Sequence, residues 1–313
     1  VILLALLQQL LSHPLPDCAR QSSCPWPAEA PASAVNLSGL DADFQQDMSG
    51  ACHDPVSGKL WLCRNGGRGG SKVWRLAPRN GSWFIEREWA GFGDCEALCI
   101  PTPAEPNTLF TLDESSNSVQ EWDLSGTGQI LKRTWNLSSW VPAYGGGLGL
   151  EGLCVVPDAS LTQAGFVDGS GNPRVSALGM GALTFVAHQN GGRVYVFDLS
   201  RANSSIQFVG SFLTQHPESA ELCFDATLQR LFVLHGDNFN DIEVVKLSSQ
   251  AVAGGRRLDR VLTYDYPGSA NFEGFCVLQG SSACQNGRRG AFVLIDGGGN
   301  NSLYWHKQFP CGY

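Results

Sequence analysis

Apolar and polar positions alternate along this chain in short runs, broken by turns rich in Gly, Asn, Ser and Pro. That period predicts β-strands, and the runs repeat. Five segments align on a cysteine: Ser49-Gly50-Ala51-Cys52, Glu96-Ala97-Leu98-Cys99, Glu151-Gly152-Leu153-Cys154, Ala220-Glu221-Leu222-Cys223 and Glu273-Gly274-Phe275-Cys276. Successive cysteines lie 47, 55, 69 and 53 residues apart. After each comes a turn and a second β-rich run, ending at Arg64, Asp113, His188, His235 and Asp296. A third run follows, as in Val194-Tyr195-Val196-Phe197, and a fourth closes four of the five units, as in Trp83 to Trp89.

Four antiparallel strands repeated at about 50 residues predict an all-β fold, the β-propeller. Five blades are expected, within one domain over residues 34–313. The last unit lacks a fourth strand of its own, and the segment Ala34 to Phe44 is expected to supply it and so close the ring. A sixth blade is the alternative if Pro157 to Met180 is structured; that stretch is poor in β-branched residues and reads as a loop insertion.

The repeat also places polar side chains. In a propeller the first strand of each blade lines the channel, and the start of strand one meets the end of strand two at one mouth. Counting the hairpins pairs Asp54 with Lys59 and sets Ser49 opposite Arg64; it pairs Asp225 with Arg230 and sets Ala220 opposite His235. By alignment Glu96 faces Asp113, Glu151 faces His188 and Glu273 faces Asp296. Arg64 joins this ring, and Glu221 stands one step off register. Facing carboxylates destabilise a sheet. A divalent cation held by Glu96, Glu151, Glu273, Asp113 and Asp296 would relieve them, and hard oxygen donors suit Ca²⁺. A shared proton, Arg64, or a solvated role capping backbone groups would serve too.

Eleven cysteines are many for 313 residues. The five aligned ones read as small buried hydrophobes at a crowded axis. The other six are expected to pair as Cys18–Cys24, Cys63–Cys95 and Cys284–Cys311. Residues 1–17 carry an apolar, signal-like stretch, Val1 to Leu11, and 18–33 form an N-terminal extension. Acceptor triplets for N-glycosylation stand at Asn36, Asn80, Asn136, Asn203 and Asn300. Together these predict a secreted, disulfide-bonded glycoprotein. With 21 Lys+Arg against 29 Asp+Glu the net charge is −8, and no basic run offers a nucleic-acid partner. No apolar run reaches the ~20 residues of a membrane span.

No phosphate-loop, H-E-x-x-H or G-x-S-x-G motif is present. The recurring E-G-L/F opening of strand one, with the acidic pair Asp113-Glu114 after strand two, resembles the SdiA-regulated family of β-propellers. It is similar in pattern to the esterase-like-phytase and gluconolactonase-type propellers. The resemblance covers roughly residues 34–309 and implies an extracytoplasmic propeller with a cation, Ca²⁺ for choice, in its channel. Ser49 and Ala220 stand where the other units have Glu. Two functions follow as expectations. The first is an extracellular module binding a protein or glycan, or assembling with itself, with Trp140, Tyr144 and Phe239 on the ring-face loops as stacking or anchoring residues. The second is a Ca²⁺-dependent phosphoesterase or lactonase with His188 or His235 as base.

Overall fold

The computed structural model describes residues 18, 22–66, 70–102, 104–143, 148–236, 239–268 and 271–312. The signal-like segment 1–17 and Tyr144 lie outside these residues. Two short strands come first, β1 (Cys24–Pro25) and β2 (Val35–Asn36). Antiparallel meanders follow: β3–β6 (Met48–Asp54, Lys59–Arg64, Lys72–Arg79, Ser82–Ala90), β7–β10 (Cys95–Cys99, Thr108–Asp113, Ser118–Asp123, Ile130–Asn136) and β11–β14 (Leu150–Pro157, Ala182–His188, Arg193–Leu199, Ile206–Leu213). Then come β15–β18 (Glu221–Asp225, Arg230–His235, Asp241–Val252, Gly255–Asp265) and β19–β21 (Asn271–Val277, Arg288–Asp296, Leu303–Pro310).

The last meander takes its fourth strand from the N-terminal side, where Val35 pairs with Trp305 and Asn36 with Tyr304. The closing strand is thus two residues long, within the segment 34–44. Parallel pairing of β14 with β18, Phe212 beside Arg256, fuses the third and fourth meanders at their outer edges, and β1 adds in parallel beside β18. Residues 157–180 form no further sheet. They hold one helix, α1 (Asp158–Ala164), stopped by the left-handed Gly165, and a bridge between Val167 and Pro173.

The first strands make a cycle: β3 packs on β7, β7 on β11, β11 on β15, β15 on β19, and β19 returns to β3. Four-stranded antiparallel sheets set around such a cycle have the arrangement of a β-propeller. The second strands are buried on both faces, because each sheet is covered by its neighbours; Leu60, Trp61, Leu62 and Cys63 are all at 0% exposure. Trp74 and Trp135 are likewise fully buried between sheets. All five asparagines of the acceptor triplets are exposed. Disulfides join Cys18 to Cys24 and Cys284 to Cys311, with Cα separations of 5.1 and 5.9 Å. Cys63 and Cys95, expected to pair, are instead buried free thiols. Their strands place Cys63 Sγ 3.5 Å from the Cys95 carbonyl oxygen, so each sulfur meets a backbone acceptor.

Register decides what reaches the channel. Asp54 pairs Lys59 and Asp225 pairs Arg230, as hairpin counting gives. Farther along the first strands a β-bulge intervenes in four units, adding one residue to the inner strand. Arg64 therefore pairs Met48 rather than Ser49, Asp113 pairs Cys95 rather than Glu96, and His188 pairs Leu150 rather than Glu151. In the last unit Asp296 pairs Asn271, two residues before the expected Glu273, of which the bulge accounts for one. The residue after the bulged acid or serine must be small. A Cβ on Gly50 would lie 2.7 Å from Ala97 Cα, one on Gly152 2.8 Å from Glu221 Cα, and one on Gly274 2.3 Å from the Ser49 carbonyl oxygen.

In the fourth unit, which keeps its register from Glu221 to Asp225, Glu221 occupies the position these small residues hold elsewhere. Its carboxylate, 1% exposed, accepts the backbone N–H groups of Ala51 (3.2 Å), Leu153 (3.3 Å) and its own neighbour Leu222 (2.8 Å). One side chain thereby bonds the inner strands of three units. Burial raises its pKa well above the usual carboxylate range, against the pull of those three donors.

Two stability measurements check this account. Gly274→Ala should cost roughly 1–3 kcal/mol by overpacking, while Gly126→Ala, where a Cβ meets nothing within 4 Å, should leave the urea midpoint within error. Glu221→Ala removes the acceptor of three buried N–H groups. At ~1–3 kcal/mol for each orphaned group, it should be among the most destabilising single changes in the chain. A midpoint shift no larger than that of a surface Glu→Ala change would contradict the role given to Glu221.

Candidate functional site: an acidic cup at the channel mouth

The bulges deliver acids to one mouth of the ring. A cavity of about 210 Å³ there is lined by Glu96, Glu151 and Glu273 from the inner strands, by Glu114 and Asp296 from the ends of second strands, and by Ser49, Asn65, Gln189 and Asn271. Among the described residues no Lys, Arg or His lines it. Glu96, Glu114 and Glu151 are 5–6% exposed, and Glu273 and Asp296 are partly buried.

Charge crowding and burial act in the same direction. Burial, then the charges of Glu114 and Asp94, push Glu96 up to about 8, although hydrogen bonds with Ser49 and Asn65 pull the other way. Burial and the neighbouring carboxylates hold Glu151 and Glu273 well above the ordinary range. Glu114 is raised to about 7, chiefly by burial and by Asp94. Asp296 is raised by burial and by Asp47. These shifts identify acids that lack a compensating charge.

One carboxylate oxygen each from Asp94, Glu96 and Glu114 lies within 4.8 Å of the others, close enough to share a cation. Glu114 lies over Gly149, where a Cβ would come within 2.6 Å of its Oε1. That oxygen is buried with no hydrogen-bond partner among the described residues, as is Oδ1 of Asp296. Buried unpaired acceptors of this kind fit a hard cation, which would be served by carboxylate and amide oxygens together.

The structure brings four of the five expected ligands, Glu96, Glu151, Glu273 and Asp296, to this cup, and turns Asp113 away. Asp113 Oδ1 accepts from Ser115 Oγ and the Ser116 N–H, and its Oδ2 accepts from Gln120, so it caps its own turn. The expected histidines also lie outside the lining. His188 Nδ1 accepts the Asn190 N–H and its ring packs against Tyr195; burial lowers its pKa. His235 bonds the Glu218 carbonyl oxygen and sits 3.4 Å from Glu243 Oε2. Burial opposes its charge, but Glu243 and Asp241 outweigh this and raise its pKa. Arg64 reaches Asp43 at 3.3 Å and the Gly70 carbonyl oxygen.

The reason is common to the row. After a one-residue bulge, Asn65, Glu114 and Gln189, each one past the end of its second strand, line the cup in place of Arg64, Asp113 and His188. The signal for this shift was the small residue after each acid or serine, which marks bulges and close backbone approach. Asp94 stands five residues before Cys99, as Asp47 and Glu218 stand before Cys52 and Cys223, so the repeat did carry a signal for an acid there, ahead of the aligned segments.

At the other mouth, Cys52, Cys99, Cys154 and Cys223 line an apolar recess of about 110 Å³. Burial raises all of these thiols, Cys52 to about 12, so they are neutral packing groups. The only group of three or more His, Cys, Asp or Glu residues close enough to share an ion, among the described residues, is the acidic one. On the ring-face loops, Phe239 stacks on His216 at 4.0 Å and Trp140 packs edge-on against Phe197, so both rings have partners within the fold.

No protein-family model matches the chain, and no curated protein matches it. Among solved structures it is similar to a chain in a nidogen–laminin complex, with 10% identity, a TM-score of 0.43, and coverage of 83% of this chain and 84% of that one. It is also similar to a protein from Lactobacillus plantarum, with 11% identity, a TM-score of 0.43, and coverage of 85% and 72%. These likenesses concern the β-architecture alone.

Proposed function

We propose that this chain is a secreted five-bladed β-propeller acting as an extracellular binding module for a protein or glycan. In this reading the acidic cup seats a hard divalent cation, Ca²⁺ for choice, that stiffens the ring mouth. The observation carrying the reading is the crowding of Glu96, Glu114, Glu151, Glu273 and Asp296 around one cavity with no facing cationic side chain. Asn65, Gln189 and Asn271 bring amide oxygens to the same cavity, toward the six to eight ligands calcium takes. The two disulfides and the exposed acceptor asparagines support an oxidising, glycosylating compartment. A hydrolytic role would need a general base beside the cation, and His188 and His235 both turn to other partners.

The pH dependence follows from the raised carboxyls. Glu96 has its folded pKa pushed from 4.5 to about 8. A group raised on folding stabilises the protein while protonated, and that contribution is lost as pH rises from the unfolded value through the folded one. Without divalent ions the melting temperature should therefore fall between about pH 4.5 and pH 8. Millimolar Ca²⁺ should flatten that slope, because cation and protons compete for the same oxygens.

At a hundredfold excess over Kd the ion adds about 2.7 kcal/mol, or roughly 4 °C at pH 8, and much less at pH 5. Glu151→Gln should raise the metal-free melting temperature at pH 8 and shrink the calcium response. A calcium response of equal size at both pH values, or none at pH 8, would remove the cation from the cup.

A further inference from the structure

The end of the last meander away from the acidic cup carries a second polar site. Strand β20 runs from Arg288 to Asp296, so its far end lies ~26 Å from the acidic cup at the rise of an extended strand. A groove of about 390 Å³ opens there, lined by Arg288, Arg289, Trp305 and Lys307 and by the amides of Gln285 and Gln308. No carboxylate lines it among the described residues, although the chain as a whole carries net charge −8.

Arg288 and Lys307 are held in place by contacts to carbonyl oxygens and an aromatic ring, which do not neutralise their charge. Arg288 donates to the carbonyl oxygens of Pro27 and Gln308. Lys307 places its ammonium 4.5 Å from the Trp305 ring centre, and that indole is also stacked with Phe292. The nearby Glu29 carboxylate accepts the backbone N–H groups of Lys307 and Gln308. Among the described residues, Arg289 alone of the three pairs with an acid, the buried Asp225 at its Nη1, while its Nε donates to the Pro310 carbonyl oxygen. Arg289 Nη2 and Trp305 Nε1 are buried donors with no acceptor among the described residues. The walls are fixed covalently, since the Cys284–Cys311 disulfide ties the β19–β20 connection to the segment after β21. The Cys311 N–H also bonds the Gly287 carbonyl oxygen.

We propose that this groove binds an anionic oligosaccharide. Guanidinium groups match the paired oxygens of sulfate or carboxylate groups, and the flanking amides suit sugar hydroxyls. A groove of this size exceeds one small oxyanion. The assignment is independent of any cation in the cup.

The test measures binding to the full chain by calorimetry, with EDTA present so that a cup-bound ion takes no part. The probes are a sulfated tetrasaccharide, an unsulfated uronate tetrasaccharide, inorganic sulfate, and vesicles containing phosphatidylserine. At least one tetrasaccharide should bind ten or more times tighter than inorganic sulfate, and weaken as salt rises. The exposed double change Arg288→Gln/Lys307→Gln should reduce that affinity at least tenfold without shifting the melting temperature. Lys307→Gln alone, which leaves the Arg288 carbonyl contacts intact, should give a smaller loss in the same direction. Inorganic sulfate binding as tightly as either tetrasaccharide, preference for the vesicles, or unchanged saccharide affinity in both variants would overturn the proposal.

Discussion

The ring of inner strands closes backbone to backbone, and this close approach governs the rest of the molecule. At Gly50, Gly152 and Gly274 the neighbouring main chain leaves no room for a Cβ. Ala97 holds the equivalent place in the second unit. The fourth unit sends Glu221 to this level, and its carboxylate accepts N–H groups from the first, third and fourth units. A buried carboxylate is costly unless donors surround it, and here backbone amides provide them. The plug thus satisfies its own burial while tying together strands that lie far apart in sequence.

Crowding also explains why the channel has two unlike ends. On one side of Glu221 the side chains are thiols and small apolar groups, compact enough to converge and too buried to ionise. On the other side the inner strands bulge, the mouth widens, and carboxylates gather around a cavity. Their mutual repulsion cannot be relieved by moving apart, because each is fixed on a strand that the ring holds in place. The remaining routes are protonation or a bound cation, so pH and divalent ions should act as competitors for the same site.

Charge is separated along a single strand as well. Strand β20 ends in the acidic cup at Asp296 and begins in the basic groove at Arg288 and Arg289. In a chain with only 16% charged residues, this distribution places negative and positive charge at opposite ends of the same strand.

The repeat of alternating runs, the aligned cysteines and the missing fourth strand were all legible in the sequence. Strand period and hairpin spacing are local properties, fixed by backbone pleat and turn geometry. The acids Glu96, Glu151 and Glu273 could be assigned to one mouth for the same reason. What only the tertiary structure decided was the one-residue bulge in four inner strands. It exchanged Asp113 for Glu114 and moved His188 and Arg64 off the cavity. A bulge forms where neighbouring strands press on one another around a closed ring. The close contacts at these positions come from residues 47 to 225 positions away, so the small residue at each site is a local mark that permits a bulge, and the packing around the ring decides it.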